Sequence, residues 1–200
     1  MITDVSQLDP NGTNGSTNGT HTYADYTHLR LEESVELIKG KIYRMAPAPR
    51  RAHQAAISHL LVDISLYLGD KLCEIYTAPF EVRLPVRNER KHTQVLNVVQ
   101  PDICIIADKG KLDDEGCLGP PDWIIEVTSP RTAKNDFNEK FNLYEEAGVR
   151  EYWIVQPKER AINVYVLENR QYVLVDVFES GDIRCQIFPN LLISHGRIFR

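Results

Sequence analysis

Three residues combine a reactive side chain with a telling setting: Asp102, Glu126 and Lys140. Asp102 follows Pro101 at the head of an apolar run, PDICIIA. Proline fits a strand only at its start, at an edge or at a bulge, so Asp102 stands at an irregularity of a sheet. An acid beside a core strand must meet solvent, a partner or a metal, because an isolated buried charge is costly. A solvated strand-end acid also satisfies this pattern. Glu126 sits inside Trp123-Ile124-Ile125-Glu126-Val127, which reads as a central strand. A half-exposed face would make every second residue polar, and Ile124 breaks that alternation among Asp122, Glu126 and Thr128. At about 100° per residue, Phe137, Phe141, Leu143, Tyr144 and Ala147 occupy one arc of a helix, and Lys140 falls within it. Its ammonium is then aimed at the sheet the helix covers, unless the side chain snorkels past the apolar edge. Two carboxylates can hold a hard divalent cation through oxygen. Such a cation polarises a phosphoryl oxygen and acidifies a water, and a lysine stabilises the developing charge. That is the chemistry of metal-dependent phosphodiester hydrolysis.

The chain around these residues has 200 positions, 42% hydrophobic and 26% charged, a composition suited to one soluble globular domain. A formal net charge of −5 argues against a protein that coats polyanions generally. A local patch that touches nucleic acid remains compatible with it. No apolar run reaches the ~18 residues of a membrane span, and the first residues lack the basic start and apolar stretch of a secretory signal. The expectation is a cytoplasmic protein. Cys73, Cys104, Cys117 and Cys185 show no metal-ligand spacing, and Cys104 reads as a small core residue.

Residues 1–22 read as a disordered tail, rich in Asn, Gly, Thr and Ser over residues 1–20, and residues 23–200 as one domain. A short helix is expected within 23–34, a hairpin over Val35–Met45 turning at Lys39-Gly40, and a loop at the prolines near 47–49. Apolar residues at 56, 57, 60, 61, 64 and 68 predict a helix over His53–Leu68, stopped by Gly69. Strands are expected over Cys73–Leu84, Val95–Ala107 and Asp122–Val127, the first two forming a long hairpin around the loop RNERKHTQ. A second helix spans Asn135–Ala147, capped by Asn135 or Asp136 and ended by Gly148. Four strands follow: Tyr152–Val155, Ala161–Leu167, Gln171–Phe178 and Ile183–Phe188, with turn signals at Pro157-Lys158, Glu168-Asn169 and Ser180-Gly181. The expected class is α/β or α+β, a mixed sheet flanked by two main helices, with a strand-rich C-terminal part.

Several of these segments together resemble the Uma-type family of "putative restriction endonucleases", whose fold is similar to that of the PD-(D/E)xK nucleases. The resemblance rests on Pro101-Asp102, on Pro121-Asp122-Trp123-Ile124-Ile125-Glu126-Val127-Thr128-Ser129-Pro130, and on Asp136, Lys140, Tyr144, Ala147-Gly148-Val149 and Glu151-Tyr152-Trp153. Upstream, Glu36 to Gly40, Pro47-Ala48-Pro49 and His53 also match, so that the likeness covers roughly residues 23–200. It implies a restriction-endonuclease-like fold, Asp102 and Glu126 as metal-binding acids, Mg2+ or Mn2+ as cofactor and DNA as substrate. The lysine expected two residues after the glutamate is missing, since position 128 is Thr128. The resemblance therefore implies that Lys140 supplies the amine. It also suggests Glu36, His53, Thr128 and Tyr144 as accessory residues of the site. The two cations of the loop Ser129–Lys134 read as phosphate contacts or as ordinary solvated charges.

Three functions follow. The first is a Mg2+- or Mn2+-dependent endonuclease, acting as a homodimer because cutting both strands calls for two sites. The second is a catalytically silent module of nuclease fold that binds nucleic acid or a protein. The third is another metal-dependent hydrolase with a small substrate. No GxxxxGK[ST], GxGxxG or GxSxG motif occurs, which leaves activated water as the hydrolytic agent.

Overall fold

The β-rich segments divide between two sheets rather than one, and the division creates the seam where Asp102 lies. The structure is a computed structural model that describes residues 20–28, 34–45, 50–69, 73–86, 92–129 and 132–200. Most of the expected tail, the 47–49 loop, residues 29–33, residues 87–91 of the RNERKHTQ loop and Pro130-Arg131 lie outside the described residues.

In chain order the elements are α1 (Tyr23–His28), β1 (Val35–Ile38), β2 (Lys41–Arg44), α2 (Arg51–Leu68), β3 (Glu74–Thr77), β4 (Val82–Arg83), β5 (Val98–Val99), β6 (Ile103–Ile106), β7 (Leu112–Asp113), β8 (Gly116–Leu118) and β9 (Trp123–Val127). There follow α3 (Ala133–Asn135), a π-helical turn (Asp136–Lys140), α4 (Phe141–Ala147), β10 (Glu151–Gln156), β11 (Ala161–Glu168), β12 (Gln171–Phe178), β13 (Asp182–Arg184), β14 (Leu192–Ser194) and α5 (His195–Ile198). One six-stranded sheet runs β2-β1-β5-β4-β8-β7, a second runs β12-β11-β10-β9-β6-β3, and β13 pairs with β14. The expected mixed α+β class stands.

The segments expected to form a long hairpin do pair antiparallel, but the ribbon changes sheets midway. β3 pairs with β6 in the second sheet, and β4 with β5 in the first. Pro101 has no N–H to give a ladder, so the β5 strand ends there and the chain crosses over. β9 is buried along its whole length, and lies between β10 and β6. It pairs parallel with β10, and a parallel pair needs a crossover, here the helical run 133–147. Ile125 and Val127 therefore face α2 and the C-terminal segment, whereas Ile124 and Glu126 face α4 and the other sheet. α2 covers its face through Ala56, Leu60, Ile64 and Leu68, spaced by one helical turn. The β1–β2 turn places Lys39 and Gly40 at positive φ, 51° and 77°. A Cβ on Gly40 would meet the Thr20 side chain at 2.3 Å and would be strained at this φ, which glycine adopts freely.

Three local expectations are corrected. Asn135 and Asp136 do not cap the second helix, because it begins at Ala133, after a bend in which Ser129 and Thr132 exchange hydrogen bonds. Asp136 lies inside the helical run and is buried. The turn after β11 falls on Asn169 and Arg170, both at positive φ, one residue later than expected. The strand over Ile183–Phe188 ends at Arg184. Buried Glu151 takes the backbone N–H groups of Gln186 and Ile187, at 2.9 and 2.8 Å from Oε2, and the Trp153 indole N–H at 2.7 Å. Those donors cannot also serve a ladder.

This predicts that Glu151→Ala destabilises the protein by about 3 kcal/mol, since buried donors left unpaired cost about 1–3 kcal/mol each. Urea denaturation measures it. A loss below about 1 kcal/mol would show that the C-terminal segment is held by its apolar contacts instead.

Candidate active site

Lys140 is the centre of the site. Its Nζ donates to Glu126 Oε1 at 2.9 Å and lies 2.9 Å from Glu36 Oε1. Glu126 comes from β9 of the second sheet and Glu36 from β1 of the first, so one ammonium ties the two sheets together. The inward aim expected from the apolar arc is what the structure has: Lys140 is 6% exposed. The π-helical turn that delivers it is held from below, where the Tyr152 hydroxyl donates to the Asp136 carbonyl at 3.0 Å. One turn beyond, the Tyr144 hydroxyl donates to the same Glu126 Oε1 at 2.7 Å. Tyr144 thus belongs both to the core and to this cluster.

Asp102 sits at the crossing between sheets. Its Oδ2 accepts the Val127 N–H at 2.7 Å, where the β6–β9 ladder has run out. His53, in the first turn of α2, brings Nε2 to 3.4 Å from the same oxygen. Glu36 Oε1 also accepts the Gln100 N–H at 2.9 Å, a donor that no strand pairing uses at this crossing. Asp102, Glu126, Lys140, Glu36, His53 and Tyr144 thus come together, in two sets linked through β9. Thr128 does not join these contacts among the described residues. It follows β9, and its N–H continues the pairing to Val155 O at 2.7 Å. Asp122 is a strand-end residue as expected, accepting Ala107 N–H at 2.8 Å and facing Arg150 at 3.1 Å.

Asp136 is the residue whose place sequence reasoning misjudged. It is 2% exposed and lies in the field of Lys140, Glu36 and Asp102. The four-residue spacing of Asp136, Lys140 and Tyr144 along one helix is the signal that points to it.

Burial pushes the Glu126 carboxyl up to about 8; Lys140 pulls it down, and Asp102, Asp136 and Glu36 push it further up. Burial likewise raises Asp136 to about 6, against the pull of Lys140. Burial alone would lower Lys140, but Glu126, Glu36 and Asp136 hold it well above the usual lysine range. Burial, then the charges of Glu126 and Glu36, keep the Tyr144 proton in place to donate. The cluster is therefore short of positive charge. Asp102 and Glu126 offer a hard, oxygen-only donor set of the kind Mg2+ and Mn2+ take. Among the described residues no three Asp, Glu, His or Cys side chains converge on a metal-sized site. The remaining positions would fall to water and phosphate, the usual habit of Mg2+.

The profile of the Uma2 family, described as "Putative restriction endonuclease", matches residues 22–194. The chain belongs to this family. The crystal structure of "a putative nuclease belonging to DUF820" from Anabaena variabilis shares the fold, with a TM-score of 0.71 at 20% identity, over 89% of this chain and 97% of that one. No curated protein matches significantly. In this Uma2-family chain all four cysteines are free thiols, Cys104 among them in the core. Among the described residues no helix is long and apolar enough to cross a membrane.

A carboxyl whose folded pKa lies above its unfolded value stabilises the fold at low pH and loses that contribution as pH rises through the folded value. For Glu126 the window runs from 4.5 to about 8. In chelator, the unfolding free energy from urea titration should therefore carry a contribution that falls across that window by more than about 1 kcal/mol. Glu126→Gln should remove it and be more stable than wild type at pH 8.5. Equal slopes in the two proteins would show that Glu126 is already ionised at pH 5.

Proposed function

We propose that this chain is an endonuclease that hydrolyses phosphodiester bonds of DNA, with Mg2+ or Mn2+ held by Asp102 and Glu126. The observation that carries the reading is the Lys140 ammonium at 2.9 Å from Glu126 Oε1. It supplies from a helix the amine that position 128 lacks, beside an acid on a central strand. The bound cation would polarise a phosphoryl oxygen and lower the pKa of a water.

Each protein group then has a role. Lys140, kept charged by Glu36 and Glu126, faces negative charge as it develops on the scissile phosphate. Tyr144 and Lys140 fix the Glu126 carboxylate through Oε1, so its rotamer is set before substrate arrives. His53 and the Val127 N–H orient Asp102 in the same way. Glu36 and Asp136 balance Lys140, and the crowding of carboxyls that raises Glu126 is what a divalent cation offsets. Metal binding accordingly releases a proton at neutral pH. The proposal includes a homodimer, since cutting both strands of a duplex calls for two such sites.

Manganese calorimetry and plasmid cleavage test this together. Asp102→Ala and Glu126→Ala should abolish Mn2+ binding and lower cleavage at least about a hundredfold. Lys140→Met should retain Mn2+ binding and lower cleavage by about 10²–10³, the scale of one lost stabilising group. A well-folded wild type that binds no Mn2+, alone or with duplex DNA, would favour the silent binding module of the same fold.

A further inference from the structure

The hydrogen bonds of the carboxylate cluster show which of its oxygens remain open. Glu126 Oε1 takes both the Lys140 ammonium at 2.9 Å and the Tyr144 hydroxyl at 2.7 Å, and among the described residues Oε2 takes no hydrogen bond. Asp102 Oδ2 takes the Val127 N–H at 2.7 Å and faces His53 Nε2 at 3.4 Å, which leaves Oδ1 open in the same way. The pairing of Ile103 with Ile125, carried one residue further, sets Asp102 against Glu126 on the face that Cys104 and Ile124 share. Side chains opposed in this way stand about 4.5–5.5 Å apart at Cβ. Each acid therefore has one oxygen to give to an ion between them.

A second position for positive charge lies on the other side of Glu126. It is bounded by Glu126 Oε1 and Glu36 Oε1, and the Lys140 ammonium already sits there, 2.9 Å from each. Buried Asp136 adds its charge to the same place. Glu126 is thus shared by both positions, through Oε2 on one side and Oε1 on the other. A carboxylate shared in this way is how two divalent ions are held as a pair, about 3.5–4 Å apart. Here the chain fills one of the two places with its own cation, and Lys140 is buried, which leaves no space for an ion beside it.

We propose that the Lys140 ammonium occupies a latent divalent-cation site formed by Glu36 and Glu126, so that the chain carries a single metal ion and supplies the second positive charge itself. The first ion rests on the nuclease reading; the latent site rests only on Glu36, Glu126 and Lys140. Truncating Lys140 to alanine removes the cation and frees the space of its side chain between two carboxylates. A divalent ion takes such oxygens at about 2.0–2.1 Å, so each carboxylate need close in by less than about 1 Å from its distance to Nζ. Water that enters the freed space completes the ion's shell.

Manganese calorimetry without DNA, read together with electron paramagnetic resonance, tests this. Wild type should bind one Mn2+ per chain and give an uncoupled signal. Lys140→Ala should bind one ion more, and the pair, bridged by Glu126, should show exchange coupling. Adding Glu36→Gln to Lys140→Ala should remove the extra ion. Two ions in wild type, or no gain in folded Lys140→Ala, overturns the proposal. If Lys140→Ala is unfolded in chelator, Mn2+ should restore its fold, because an ion that binds only the native state stabilises it. A chain that stays unfolded at saturating Mn2+ also overturns the proposal. If wild type binds no Mn2+, the nuclease reading loses its metal, and Lys140→Ala decides alone: one ion that Glu36→Gln removes supports the latent site, and none overturns it. An added ion in Lys140→Ala, with no DNA cleavage by wild type, would leave the latent site standing and the nuclease reading without support.

Discussion

The ammonium of Lys140 is the interaction on which the rest of the site depends. It stands 2.9 Å from carboxylates belonging to two different sheets. Glu36 and Glu126 are each almost fully buried, where an unpartnered charge is costly. Lys140 is the cation that faces both carboxyl groups across the seam. The contact that joins the two sheets is therefore also the centre of the candidate site. The core side chains around it, including Ile38, Val99, Ile124 and Leu143, exclude the water that would otherwise screen it.

A second constraint is the crossing of the chain from one sheet to the other at Gln100, Pro101 and Asp102. Strand pairing satisfies backbone donors on either side, but it lapses at the crossing. Side chains fill the gap: Glu36 takes the Gln100 N–H, and Asp102 takes the Val127 N–H. Of the two carboxylates that complete the hydrogen bonding of the seam, Asp102 keeps its side chain 19% exposed, whereas Glu36 is 8% exposed. The irregularity that proline imposes thus becomes the location of the candidate site.

The helix that supplies Lys140 meets its own constraint. It must cross from β9 to parallel β10 and still place an ion-pairing residue over β9. The π-helical turn Asp136–Lys140 widens the helix at this point, and Tyr152 from β10 meets the carbonyl of its first residue. Such turns are uncommon and recur at functional sites. Here the turn begins and ends on the two charged residues that enter the cluster, Asp136 and Lys140. Farther along, Glu145 of α4 accepts the Tyr172 N–H at 2.5 Å, joining the same helix to the edge strand β12.

By itself, the amino-acid sequence determined the elements and their faces. Periodicity is a local property, so the α2 stripe, the apolar core strand at Glu126 and the inward arc of Lys140 were all legible in it. Pro101 marked the irregularity beside Asp102 because a missing N–H is a property of one residue. The sequence did not determine which sheet each half of the long ribbon would join, since β3–β6 and β4–β5 continue one antiparallel pairing and differ only in their neighbours. Nor did it show that Asp136 turns inward. An acid near a helix start usually caps it, and only the Ser129–Thr132 bend, which begins the helix earlier, carries Asp136 past that position. The Glu36–Lys140 contact spans more than a hundred residues of chain and two sheets. Tertiary structure alone decided it, because no local pattern sets the distance between residues on separately formed sheets.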